Sequence, residues 1–452
     1  MRILVLANRL DVDGTSGGLC SAKLVQVLHN RGHQLEVWCA EASESVRRPG
    51  YLAPGLQIRF LDTNQPALRR RIFDGLDRWL GGALRRVVVQ MRGYPPPMWR
   101  AVAAWRGLLR SRTDEARPDV AVALSSGLIF APHMALAAES RRHTNRLPWL
   151  GYIHDPFPVS RMPGLRRATS AWWRGRYADR RQAILQRQIF RTADALAFPS
   201  QRLLEWAAAE VPNESPAIRS KSSVVPHVAA VPEPGAADVA EAGRLVDGSR
   251  FQVLHAGSLL AAQTVEALLA AFRDFRQASN DRASASIVQL GATNPVHEAR
   301  PTWQSAIADG ILTVHQRRVP HTVAVAATKR APLCLVVDFP DAMSPILPGK
   351  VADLVAIDAP ILYLGPEQSA TLDVLGADWP FAACPDDTEG IRAALEAAWS
   401  RWIAGGRGAL QVPARNRSDL VEPGIGDAFV RAVEAAAGAA RRNASDRWGG
   451  RV

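Results

Sequence analysis

Lys350 and Asp353 stand one helical turn apart in the stretch DFPDAMSPILPGKVADLVAIDAPILYLGP, residues 338–366. The spacing predicts a buried strand, a Pro- and Ser-rich loop, a helix opening near Pro348, and a second apolar strand, APILYLGP. Ligands sit beyond the carboxyl ends of parallel strands, and the positive end of a helix attracts phosphate. Lys350, in the first turn, works against the helix dipole but suits a bound anion, and Asp353 can accept hydrogen bonds from a sugar or ribose hydroxyl. The same two residues would equally serve as a surface ion pair. A second group of residues lies near the start of the chain. Gly17 and Gly18 in the loop DVDGTSGG let backbone approach a ligand at a helix N-terminus. The apolar run LPWLGYIHDPFP ends in His154 and Asp155, which would face the same crevice. His154 there can donate to a sugar hydroxyl or stabilise developing charge; it can also simply cap a strand. Asp11 and Asp13 form a DxD, which we read as solvated turn carboxylates and not as a metal site.

These residues need parallel strands to carry them. RILVLANRL, a glycine-bearing loop, a helix from about Leu19 to Asn30 and GHQLEVWCA make a β-loop-α-β unit of the nucleotide-binding kind. LQIRFLD, DVAVALS, LPWLGY and ADALAFPS continue as strands, with helical segments between them. From Phe251 the pattern starts again: FQVLHAGSL, SIVQLGA, ILTVHQ, PLCLVVDF and APILYLG alternate with helices. Short apolar strands alternating with helices predict an α/β chain of two doubly wound domains. The expected division is 1–228 for the first domain, 229–250 for a linker rich in Ala, Pro, Gly and acidic residues, 251–420 for the second domain, 421–440 for a C-terminal helix, and 441–452 for a disordered tail.

Composition narrows the function classes. The 452 residues suffice for two or three domains with proper cores. Cys20, Cys39, Cys334 and Cys384 are scattered without metal-ligand spacing, as reduced thiols would be. No signal peptide precedes the first strand and no apolar run is long enough to cross a bilayer, so a cytoplasmic protein is expected. Residues 1–230 carry 34 Lys and Arg against 18 Asp and Glu, whereas the remainder carries 21 against 25. Arg166, Arg167, Arg174, Arg176, Arg180 and Arg181 surround Trp172 and Trp173, a composition suited to peripheral contact with anionic lipid at the inner face of a membrane. A nucleic-acid patch would share that composition, as would an ordinary solvated face; our reading is no nucleic acid.

In order, MRILVLANRL, SGG, RGHQLEVW, IHDPFP, VVPHV, VLHAGSL and LPGKVADLVAIDAPILYLGPEQS resemble a GT-B glycosyltransferase of the family 4 kind over most of the chain. The resemblance implies two Rossmann-like domains facing a central cleft. The nucleotide-diphosphate sugar, a co-substrate and not a cofactor, would lie mainly on the C-terminal domain and the acceptor mainly on the N-terminal one. It also implies retention of anomeric configuration without a metal. By the same resemblance, Gly17 and Gly18 match the glycine loop near the diphosphate, His154 the histidine touching the transferred sugar, and Gly257 the turn after the first donor-domain strand. Lys350 matches a lysine that precedes the ribose-binding acid, and Asp353 stands where that acid is usually glutamate. Three positions depart from the pattern. Ser258 and Thr264 replace the customary arginine and lysine, and Pro345 stands where the first acid of the E-x7-E pair belongs. Arg317 and Arg318 could substitute for the lost cations. The expected function is therefore transfer of a sugar to a carbohydrate or lipid-linked acceptor in surface-polysaccharide or glycolipid assembly. The alternative is a non-catalytic module of the same fold that scaffolds such a complex. A dinucleotide-dependent oxidoreductase is disfavoured, because no full GxGxxG appears and Glu36 lies inside the second strand, not at its end.

Overall fold

The structure is a computed structural model. It describes residues 1–449 apart from 11, 13–14, 42–55, 62–74, 77, 81–82, 95, 113–116, 127–128, 142–145, 158–161, 163–175, 262 and 317. The chain divides into two compact units, residues 1–161 with 169–226 and 423–452, and residues 162–168 with 227–422.

The first unit is built on a seven-stranded parallel sheet. Its strands are β1 (Arg2–Arg9), β2 (Gln34–Glu41), β3 (Ile58–Phe60), β4 (Val120–Leu124), β5 (Trp149–Tyr152), β6 (Ala195–Phe198) and β7 (Ser222–Val224), in the order β3-β2-β1-β4-β5-β6-β7. Ile3 to Ala7 are all inaccessible to solvent, which explains why β1 reads as a continuous apolar run and not an alternating one. Val5 is flanked by Val37 on one side and Val122 on the other. The chain runs from β1 to β2 on one side and returns to β4 on the other, so the crevice above β1 and β4 is a topological switch point.

Helix Ser16–Asn30 follows β1. Thr15 caps it, its hydroxyl accepting from the Gly18 amide at 3.1 Å, and Gly32 at φ +75° follows its end. The C-terminal helix Gly424–Gly449 packs on this sheet against β5 and β6. Phe429 meets Tyr152 edge-on, with centroids 6.1 Å apart, and Asp427 pairs with Arg31. Helix is thus present from 441 to 449, where we expected a disordered tail.

The second unit repeats the design with six parallel strands: β8 (Gln252–Ala256), β9 (Ser286–Leu290), β10 (Leu312–His315), β11 (Leu333–Val337), β13 (Ile361–Leu364) and β15 (Ala382–Ala383). Their order, β10-β9-β8-β11-β13-β15, places a second switch point between β8 and β11. A separate two-stranded ladder pairs β12 (Met343–Ser344) with β14 (Gln368–Ser369). Phe251, Phe272 and Phe275 fill one side of the core beside Trp399 and Trp402. Full burial of each such side chain is worth about 1.5–3 kcal/mol. The stretch 229–250, read as a linker, contains helix Ala236–Leu245 within this unit, with Asp238 accepting from the Gly235 amide at its start.

Candidate functional site

Lys350 lies in the first turn of helix Gly349–Ala356, as the sequence predicts. Its ammonium is 2.8 Å from His255 Nε2, and His255 is a buried residue of β8. On the other side of the ring, His255 Nδ1 is 2.7 Å from Gln289 Oε1 on β9, its register partner. The Gln289 amide group in turn donates to the carbonyls of Gly257 at 2.9 Å and Gly291 at 3.3 Å. Burial, followed by the nearby Lys350 charge, pushes the imidazole down to about 3, so His255 is neutral. Loss of solvation lowers Lys350 to about 8.

Gly257 is required where it stands. Its φ of +138° disfavours any side chain, and a Cβ there would lie 3.3 Å from the Lys350 ammonium. Gly291, at φ +126°, packs so closely that a Cβ would fall 2.7 Å from the Gly257 carbonyl oxygen. The loops after β8 and β9 are joined further by bonds from the Gly257 amide to Leu290 O and from the Leu259 amide to Ala292 O. A glycine turn, a helix N-terminus and a lysine thus converge at the second switch point, an arrangement fitted to phosphate.

The remaining predicted residues of this unit lie elsewhere. Asp353 faces His321 Nε2 at 3.4 Å, so the surface pair with Lys350 that its spacing allowed is replaced by contacts to two different partners. Ser258 is exposed, and Thr264 donates to Asp386 at 3.0 Å. Arg318 is exposed, and Arg317 lies outside the described residues. Pro345 is buried beside the β12–β14 ladder. Beneath that ladder Asp338, just past β11, accepts from the Phe339 amide at 2.8 Å and from the Tyr363 hydroxyl at 3.2 Å. Burial pushes Asp338 up to about 6. These bonds fix the start of the loop that leads to Lys350.

In the first unit, Gly17 and Gly18 fall inside the first turn of helix Ser16–Asn30, with Gly18 buried. Ser21, one turn on, is within 3.3 Å of both His154 Nε2 and the Ser125 carbonyl oxygen. The His154 amide donates to Ser125 Oγ at 3.2 Å, and its ring lies 4.5 Å from that of Tyr152. His154 is thus held between the glycine helix and Ser125, just past the end of β4. Asp155, the next residue, is pushed up to about 6 by burial, a value compatible with proton transfer near neutral pH. Ser21, Ser125, His255, Gln289, His321 and Tyr363 were not singled out from the sequence. Glu36, inside β2, makes two 2.7 Å bonds to Arg112; β2 itself ends on Glu41, an acid that the sequence reading does not place at the end of this strand. Asp11, Asp13, Trp172 and Trp173 lie outside the described residues, and the described residues contain no cluster of three or more metal-binding side chains.

No family model and no curated protein sequence matches the chain. Solved structures do. A trehalose-6-phosphate synthase from Burkholderia multivorans aligns with TM-score 0.57 and 13% identity, over 97% of this chain and 100% of its own. Sucrose-phosphate synthase from Thermosynechococcus elongatus aligns with TM-score 0.54 and 12% identity, over the whole of both chains. HepE of Anabaena, solved in complex with UDP and glucose, gives 0.54 and 11%, over 99% of this chain and 100% of its own. At these identities the likeness is one of fold, and the chain has the GT-B architecture of two Rossmann-like units.

Proposed function

We propose that the protein is a glycosyltransferase that moves a sugar from a nucleotide-diphosphate donor, with the donor on the second unit and the acceptor on the first. The observation that carries this reading is the Lys350 ammonium set against the Gly257 turn at a helix N-terminus and a topological switch point. Lys350 and the amides of that helix would take the diphosphate; Asp353, beside His321, would take the ribose hydroxyls. His154 would contact the transferred sugar, and Asp155 would hold or release a proton near it. Neutralisation of the leaving diphosphate by lysine and helix dipole needs no bound metal, and retention of configuration follows from the family resemblance.

The finer reading is an acceptor carried on a membrane lipid, in surface-polysaccharide or glycolipid assembly, with the protein on the inner face of that membrane. Support comes from the first unit. On helix Ala83–Arg92 the exposed Val87 and Met91 lie four residues apart, and Leu76, Trp79 and Leu80 are exposed just before it. Trp79 is 82% accessible, and the exposed Arg78, Arg86 and Arg92 flank the stripe. Apolar side chains ringed by guanidinium groups suit an anionic lipid surface. No helix among the described residues is long and apolar enough to cross a membrane.

The test is a panel of UDP-, GDP-, ADP- and dTDP-sugars, scored for release of free nucleotide and for thermal stabilisation, with Lys350→Ala alongside. A charge-assisted phosphate contact is worth about 1.5–3 kcal/mol, so the variant should bind nucleotide roughly 10- to 100-fold more weakly. Stabilisation without turnover would favour the non-catalytic scaffold. No binding by any nucleotide would remove the enzyme reading and leave the non-catalytic scaffold.

A further inference from the structure

We infer that His255 and Gln289 are positioning residues that hold the Lys350 ammonium in place for a phosphate of the donor. This rests on the donor-site reading above.

The hydrogen-bond geometry leaves one consistent arrangement of protons. Gln289 must turn its amide nitrogen toward the carbonyl oxygens of Gly257 and Gly291, because the flipped amide would set oxygen against oxygen. Its own oxygen then faces His255 Nδ1, so that nitrogen carries the hydrogen. His255 Nε2 is left with a lone pair directed at Lys350, 2.8 Å away. The ammonium is therefore held by an acceptor that is itself oriented from behind, and the remaining N–H bonds are available to an anion.

Both positioning side chains are almost wholly buried in strands whose other buried polar residues, Gln252 and Ser286, bond to each other. Burying polar groups in a sheet interior costs free energy unless they are paired, and apolar residues would pack there at no such cost. The network also ties together the three parts of the phosphate cradle: the Gly257 turn, the Gly291 turn and the lysine. The titratable groups facing Lys350 are His255 from β8 and Cys334 from β11. Burial drives the Cys334 thiol up to about 12, so it is uncharged, and the imidazole is neutral. Lys350 is thus the charge in an uncharged setting, and phosphate affinity should fall as pH rises through its titration near 8.

The experiment measures dissociation constants for UDP, GDP, ADP and dTDP by calorimetry between pH 6.5 and 9, using the full-length protein. Wild type is compared with His255→Leu, His255→Gln, Gln289→Met, Lys350→Met and the double variant His255→Leu with Lys350→Met. His255→Gln keeps an acceptor at the lysine. Thermal melting checks that each variant is folded. We expect His255→Leu to weaken binding about 10-fold at pH 7 and to move the pH midpoint downward, and Gln289→Met to act in the same direction. His255→Gln should retain the wild-type midpoint. In the Lys350→Met background His255→Leu should add nothing. The inference is overturned if Lys350→Met weakens binding while His255→Leu leaves affinity and pH profile unchanged. It is also overturned if the two losses simply multiply. If Lys350→Met binds as wild type does, or no nucleotide binds at all, the donor-site reading fails and takes this inference with it.

Discussion

Replacing Asp338 with asparagine should stabilise the protein at alkaline pH and do so progressively less as the pH falls. Asp338 is 2% exposed, and burial raises its carboxyl from 3.8 to about 6 despite bonds from the Phe339 amide and the Tyr363 hydroxyl. Because the folded value lies above the unfolded one, the protonated side chain favours the native state. Its stabilising contribution is complete below about pH 4 and is lost as pH rises through 6. At about 1.4 kcal/mol for each pH unit between the two values, keeping Asp338 ionised in the native protein costs roughly 3 kcal/mol at pH 8. An asparagine is neutral throughout. Its oxygen can still accept from the Phe339 amide, and its amide can donate to the tyrosine oxygen. The difference in stability between variant and wild type should therefore grow by up to about 3 kcal/mol between pH 4 and pH 8. Differential scanning calorimetry of both proteins at a series of pH values reads it, since effects of pH on the rest of the chain cancel in the difference. A difference that stays flat across the range would refute the reasoning. It would mean that the hydrogen bonds to the carboxylate offset its desolvation.

Three further outcomes follow from neighbouring features. Gly365→Ala would drive a Cβ into the Tyr363 hydroxyl, so it should cost about 1–3 kcal/mol of stability, seen as a lowered melting temperature. Arg112→Ala should cost about 1.5–3 kcal/mol at pH 7, because Arg112 bonds hold Glu36 down to about 2. Since the folded value is the lower one, that contribution is present above about pH 4.5 and lost as pH falls toward 2, and denaturant midpoints of both proteins across that range check it. Trp79→Ser combined with Met91→Ser should abolish co-sedimentation with phosphatidylserine vesicles while leaving nucleotide affinity unchanged; undiminished sedimentation would move the lipid contact off the helix Ala83–Arg92 face.

Most of the sheet framework was legible because its central strands are buried on both faces. A run such as ILVLA or LCLVV has no other common use in a chain of this composition. The two-residue strands β12, β14 and β15 were not legible, since a pair of residues carries no periodicity. Lys350 was found because it departs from its surroundings in charge, and the partners of Lys350 and Asp353 were missed because helix spacing fixes which residues share a face but not what that face meets. His255 and Gln289 were absorbed into strands that looked adequately apolar. A signal for them does exist in the sequence. Each stands two residues before a glycine that leaves its strand, in HAG and QLG, and adjacent parallel strands with their exit glycines in register bring such residues side by side. A polar residue at the same offset in two successive buried strands must find a partner, and the nearest one is the other strand's copy. That pairing still leaves one imidazole nitrogen facing away from Gln289, toward the switch point. What occupies that direction decides whether the pair is structural filler or the back wall of a binding site, and here it is the Lys350 ammonium.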